Sequence, residues 1–234
     1  EAHSIGGFTG VSPVQLASAY SAFGNGGNYT EAHSINKIVY KNDGTENIRE
    51  FNFETINVMS DTTAYMIAYM LKKVTSSSVK VKGTDIATKT GTSSYDESAL
   101  KKLKLSSNVI QDAWTVTFSP DYSVAIWYGY DNLTKKTYNT TNHAWSERTK
   151  IQKKIVNNVM EKNSKFAKPS GLIASKVVVG SNPPMLPNST TPSSKIQTHL
   201  FKKGTQPTKV YPVYNKPKEE KKDEDVKIPD VLEP

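Results

Sequence analysis

The sequence predicts an α+β fold in which helices alternate with hairpin-forming strands, and three stretches carry that expectation. Residues 12–24 have the local chemistry of a capped helix. Residues 113–130 hold two apolar runs split by a Pro-Asp turn. Residues 85–94, Asp-Ile-Ala-Thr-Lys-Thr-Gly-Thr-Ser-Ser, open as a strand. A chain of 234 residues can bury a real core, so one main domain with appendages is expected.

In order, Gly6, Gly7 and Gly10 mark a flexible or closely packed approach. Ser12 suits an N-cap, Pro13 the first helical position, and Gln15 completes a capping box. Leu16, Ala19, Tyr20 and Phe23 follow at helical spacing, and Gly24 ends the helix. Asn25-Gly26-Gly27-Asn28 is a turn. Residues 32–40 alternate as a strand, Lys41-Asn42-Asp43-Gly44 turns it back, and residues 46–53 pair with it. A second helix runs from Ser60-Asp61 to Val74, with Ala64, Ile67, Leu71 and Val74 on one side, and a loop follows. Residues 93–112 read as a long polar loop whose Asp96 and Glu97 are rim charges. Residues 113–119 and 122–130 read as two buried strands, and 146–160 as a third helix with Ile151, Ile155 and Val159 four residues apart.

The stretch richest in chemistry is the one at 85–90, where Ile86, Thr88 and Thr90 alternate behind a Lys82-Gly83 turn. A strand puts Thr90 and Thr92 on one face, so both hydroxyls can reach one anionic group. Gly91 lets a second backbone approach. Lys89 adds a fixed positive charge from the other face. Such a strand suits an extended peptide ending in a carboxylate, docked by strand addition.

Composition narrows the classes. The net charge of +8 comes from scattered lysines (Lys101, Lys102, Lys104; Lys150, Lys153, Lys154; Lys202, Lys203) without interleaved aromatics, which argues against nucleic-acid binding. There is no cysteine, and His3, His33, His143 and His199 lack metal-ligand spacing, so neither a cofactor nor a metal is expected. Trp114, Trp127 and Trp145 read as core and interface packing. No run of 18 apolar residues occurs, and the chain opens on Glu1 without a leader, as a piece of a longer protein would.

Lys89-Thr90-Gly91-Thr92 also matches the third motif of the penicillin-recognising serine transpeptidases, whose other motifs are S-x-x-K and S-x-N. It does not stand alone. Gly10-Val-Ser-Pro-Val-Gln-Leu-Ala-Ser-Ala-Tyr20, Phe23-Gly-Asn-Gly-Gly27, Met59-Ser60-Asp61, Asp112-Ala-Trp114 and Ser119-Pro-Asp-Tyr-Ser-Val-Ala-Ile-Trp-Tyr-Gly-Tyr-Asp131 accompany it in order. Over roughly residues 6–160 the chain resembles the second half of the transpeptidase domain of class A, bifunctional penicillin-binding proteins. Leu200-Phe-Lys-Lys-Gly-Thr-Gln-Pro207 is similar to a segment these proteins carry afterwards.

The resemblance implies a mainly antiparallel sheet with helices packed on both faces, incomplete in this chain. It implies a C-terminal part of the transpeptidase domain over 1–164, a small extension over 165–214 and a disordered charged tail over 215–234. The implied activity is acyl transfer from D-Ala-D-Ala stem peptides of the bacterial wall, with β-lactams binding the same cleft. Lys89 would hold the positive potential of the site, Thr90 and Thr92 would bind the terminal carboxylate, and the Thr92 N–H would serve the oxyanion. A membrane-anchored parent with an extracellular catalytic face is implied too.

The nucleophile is missing. Ser34-Ile-Asn-Lys37 falls in an apparent strand, where residues three apart point to opposite faces. Ser77-Ser-Val-Lys80 falls in a loop rather than opening a helix. Ser106-Ser-Asn108 has the S-x-N form but follows the K-T-G-T string instead of preceding it. Both missing motifs are expected upstream of Glu1. A class B transpeptidase or β-lactam sensor, and a non-catalytic wall-peptide module, stay open beside the class A reading.

Overall fold

A computed structural model describes residues 10–76 and 78–213. In chain order the elements are α1 (Pro13–Gly24), β1 (Asn28–Thr30), β2 (Lys37–Asn42), β3 (Thr45–Glu50), β4 (Thr55–Asn57), α2 (Asp61–Val74) and β5 (Ala87–Ser94). Then come α3 (Glu97–Leu103), β6 (Val109–Phe118), β7 (Ser123–Gly129), β8 (Asn139–Thr140), α4 (Thr141–Val159), β9 (Leu172–Val178) and β10 (Ile196–Lys202). The chain forms two compact units that divide between Gly171 and Leu172.

The first unit is built on an antiparallel sheet of order β5-β6-β7, with the short β8 pairing the start of β6. Cross-strand partners share a face, so the register sorts the side chains. One face carries Ala87, Lys89, Gly91 and Ser93 of β5 opposite Phe118, Val116, Trp114 and Asp112 of β6. The other carries Thr88, Thr90 and Thr92 opposite Thr117, Thr115 and Ala113. Helices α1 and α2 cover the first face, where Ala68, Ala87, Phe118 and Phe166 pack with Tyr20, Phe23, Tyr65 and Leu71. Helix α4 covers the second, where Val156 and Met160 meet Val79 and Ile86. The expected arrangement, an antiparallel sheet with helices on both faces, is the observed one.

Local chemistry explains the ends of the elements. Ser12 caps α1 with a complete capping box to Gln15, Pro13 opens the helix, and Ser60 caps α2 by accepting the Thr63 N–H. Asp43 and Gly44 both take positive φ (49° and 82°), which makes the β2–β3 connection a two-residue turn matched to strand twist. Gly27 is needed for space as well as φ, since a Cβ there would lie 2.1 Å from the Met59 carbonyl oxygen.

Several expectations are corrected. Strand β2 begins at Lys37, not 32, so Ser34 precedes it and the alternation argument does not apply there. The K-T-G-T strand is longer than 85–90, running to Ser94 through an irregularity at Ser93/Ser94. The polar loop at 93–112 is instead the end of β5, the helix α3 and the start of β6. Val74 of α2 is exposed, and the helix buries Ala64 and Ala68. Helix α4 starts at Thr141, five residues early, and buries Ala144, Arg148, Gln152 and Val156, leaving Ile151 and Val159 exposed. Of β7 only Ile126 is buried.

Asp85 ties α2 to the sheet. Its Oδ1 receives Lys72 Nζ at 2.6 Å and Lys165 Nζ at 3.3 Å, and its Oδ2 accepts the Phe166 N–H at 3.3 Å. Burial pushes this carboxyl up, but the Lys72 and Lys165 ammoniums outweigh it and hold it below the ordinary carboxylate range. A depressed folded pKa contributes stability that is present above the unfolded value, about 4, and lost as pH falls through the folded one. Asp85→Asn is expected to cost about 1–3 kcal/mol at pH 7, less than a fully buried pair because the lysines reach water. The variant should also lose less stability than the native protein between pH 7 and pH 3. Urea titrations at both values check this, and equal losses would remove Asp85 as a source of acid sensitivity.

The second unit is a two-stranded antiparallel sheet of β9 and β10, registered from Leu172↔Lys202 to Val178↔Ile196. A 3-10 turn at Ser193–Lys195 leads into β10, and Leu186 bridges Val210 in parallel. Asn188 pins the connection by accepting from Thr190 and Thr191 and donating to the Tyr211 carbonyl at 2.9 Å. The tail expected at 215–234 lies outside the described residues.

Candidate functional site

A cleft of about 980 Å³ opens on the α1 face of the first unit. The start of α1 (Pro13, Leu16, Tyr20) forms one wall and residues 89–93 of β5 form the lip. Trp114, Val116 and Trp127 make the floor, with Asp112 and Asp131 at one end. The indole rings of Trp114 and Trp127 lie 6.5 Å apart, tilted by 50°.

Strand β5 pairs only with β6 among the described residues, so its other edge is free. Lys89, Thr90, Gly91 and Thr92 all line the cleft, and the register separates their side chains. Lys89 and Gly91 belong to the cleft face. Thr90 and Thr92 belong together on the α4 face and reach the cleft at the strand edge. Lys89 is exposed, forms no ion pair among the described residues, and folds its Nζ back to the Thr90 carbonyl at 2.5 Å. Gly91 lies over Trp114, where an added Cβ would come 3.5 Å from the Trp114 Cβ, an ordinary contact.

Behind this strand α4 presents polar side chains in sequence. Trp145 Nε1 donates to Thr92 Oγ1 at 3.2 Å, and Arg148 Nη1 donates to the Trp114 carbonyl at 3.0 Å. Gln152 Nε2 donates to Thr117 Oγ1 at 2.6 Å and to Thr88 Oγ1 at 3.4 Å. Arg148 and Gln152 are buried, and burial pulls the guanidinium of Arg148 down from its usual range. These contacts were not legible in the sequence, where they join residues 34 to 64 positions apart.

At the far end of the cleft, Asp112 accepts from Ser93 Oγ and, at 2.7 Å, from Trp127 Nε1. Burial, and then the Asp112 carboxylate, push the neighbouring Tyr95 phenol up. Ser93 and Asp112 line the cleft from the end of β5 and the start of β6, where the sequence reads as a loop. Asp96 and Glu97, expected on the rim, open α3 and do not line the cleft.

The structure brings neither Ser34 nor Ser106 to the cleft; both are exposed elsewhere. Ser77 and His3 lie outside the described residues. Trp114 and Trp127 floor the cleft, and Trp145 is 45% exposed rather than packed in the core. Among the described residues no group of three His, Asp or Glu side chains is arranged to hold a metal, and no helix is long and apolar enough to cross a membrane.

Residues 2–161 match the penicillin binding protein transpeptidase domain. The chain belongs to the penicillin-binding protein transpeptidase family. Residues 168–216 match the C-terminal domain of penicillin-binding protein 1A, which favours the class A side of the family. Penicillin-binding protein 1A/1B of Bacillus subtilis (strain 168) is 37% identical over 237 residues, covering 97% of this chain and 25% of that protein. Penicillin-binding protein 1A of Streptococcus pneumoniae is 38% identical over 128 residues, 53% of this chain and 17% of its own length. The chain thus spans a quarter or less of these family members. A crystal structure of PBPA from Mycobacterium tuberculosis aligns with 52% of this chain and 29% of its own at 20% identity and a TM-score of 0.41.

Proposed function

We propose that this chain supplies the carboxylate-binding strand of a class A D-Ala-D-Ala transpeptidase, and that the attacking serine comes from a segment upstream of it. In that reaction a serine oxygen attacks the carbonyl carbon of the penultimate D-Ala and the peptide C–N bond breaks. The terminal D-Ala leaves as an amine carrying the proton. An amine of a neighbouring stem peptide then takes the acyl group and releases the serine. Lys89 holds positive charge at the cleft, and the Thr90 and Thr92 hydroxyls bind the terminal carboxylate. Gly91 leaves room for the peptide backbone, and the Thr92 N–H faces the developing oxyanion. β-Lactams enter by the same carboxylate contact.

The observation that supports this reading most is the position of Lys89-Thr90-Gly91-Thr92 on a free sheet edge that forms the lip of a cleft. An extended peptide can add there as a further strand. The parent would carry a glycosyltransferase domain and a membrane anchor before this segment, with the catalytic face outside the cell.

The test uses fluorescent penicillin. Residues 1–234 alone should not become covalently labelled, and labelling should appear when the upstream segment is supplied, on a serine of that segment. Covalent labelling of the lone chain would place the nucleophile within it. A non-catalytic wall-peptide module would remain unlabelled in both arms.

A further inference from the structure

We propose that Trp145 is a positioning residue for the Thr92 hydroxyl, holding it so that its proton points at the carboxylate of the bound peptide or β-lactam. The inference rests on the proposed role of Thr92 and adds the group that orients it. An indole N–H donates and never accepts, so in the 3.2 Å contact between Trp145 Nε1 and Thr92 Oγ1 the hydroxyl must be the acceptor. A hydroxyl has one proton and two lone pairs. With one lone pair held by the indole, the proton is directed away from Trp145, and the hydroxyl meets an anion as a ready donor.

The contrast with Thr90 is informative. It lies two residues earlier on the same face of β5, yet its hydroxyl has no hydrogen bond among the described residues. Only Thr92 is pre-oriented. The helix beneath Trp145 is anchored to the sheet: Ala144 is fully buried against Ala113, which pairs with Thr92, and Arg148 is buried one turn later. The Trp145 carbonyl also accepts Thr149 Oγ1 at 2.7 Å. Trp145 is 45% exposed and contributes little core, so a large aromatic residue sits at the surface with its N–H engaged on a cleft residue. An oriented donor loses less freedom on meeting its anion than a free rotor does.

The experiment measures acylation in a protein that carries the upstream segment, with penicillin and with its methyl ester. Trp145→Phe keeps the ring and removes the N–H. It should lower the second-order acylation rate for penicillin roughly three- to tenfold, the worth of one hydrogen bond. The loss should fall on the binding constant rather than the maximal rate, because the carboxylate contact exists before and during attack. The ester should lose little, and Trp145→Phe should add nothing in a Thr92→Ala background.

Each alternative outcome is decisive. Normal acylation of Thr92→Ala would sink the role of Thr92 and this inference with it. A defective Thr92→Ala beside a normal Trp145→Phe would overturn only the inference. So would an equal loss for acid and ester, or full additivity with Thr92→Ala, because either marks Trp145 as mere packing. The acid-to-ester ratio does not depend on the fraction folded, so it decides even if Trp145→Phe folds incompletely.

Discussion

Lys89→Ala is expected to lower acylation by penicillin about a hundred- to a thousandfold, in a protein carrying the upstream segment, while leaving the melting temperature unchanged. The magnitude follows from the role proposed for Lys89, that of one pre-placed electrostatic group at an acyl-transfer site. Stability should not suffer because Lys89 is exposed and its Nζ meets only the carbonyl of its own neighbour, Thr90. Lys89→Arg keeps the charge on a longer, planar head and should recover part of the rate. Stopped-flow acylation with a chromogenic cephalosporin gives the rate, and calorimetry gives the fold. Near-normal acylation of the alanine variant would remove this strand from the active site.

Phe118→Ala is expected to cost about 3–5 kcal/mol, the usual range for deleting a buried phenyl ring. Phe118 is fully buried, and its ring centroid lies 6.1 Å from Tyr20, 6.0 Å from Phe23 and 5.8 Å from Phe166. It therefore joins α1 and the residues after α4 to the sheet. It also pairs with Ala87, the first residue of β5, so the loss should loosen the strand that carries Lys89. Urea denaturation should show the drop in stability, and penicillin acylation should fall with it. A cost under about 1 kcal/mol would mean that the aromatic cluster can collapse around the gap.

The parts of this fold that were legible in the sequence are those set by neighbouring residues. Ser12, Pro13 and Gln15 specify the start of α1 within four positions, and Ser60 does the same for α2. The spacing of Ile151, Ile155 and Val159 does not mark the core side of α4, because that side carries Arg148 and Gln152 while Ile151 is exposed. Periodicity counts apolar residues, and it cannot see a polar side that is paid for by hydrogen bonds to the sheet. The segment at 93–112 failed for a related reason. Helix α3 is seven residues long and has no side-chain cap, and the opening of β6 is interrupted by polar Gln111 and Asp112. The K-T-G-T strand itself was recognisable. What surrounds it, Trp145 above all, depends on pairing 53 positions away.

The edge of β5 that is left unpaired among the described residues has a consequence for the protein on its own. An edge that admits an extended ligand also admits the same edge of another copy, and such contacts lead to self-association. Two features of this strand limit the hazard. The Lys89 ammonium meets its own copy wherever two such edges align about residue 89, and the irregularity at Ser93/Ser94 interrupts the regular ladder that a partner strand would extend. A short strand can pair along residues 89–92, whereas a long one would run into the irregularity at Ser93/Ser94. The same lysine that would greet a carboxylate thus also keeps two molecules apart, and its neutralisation should show in light scattering as growth of the particle at low salt.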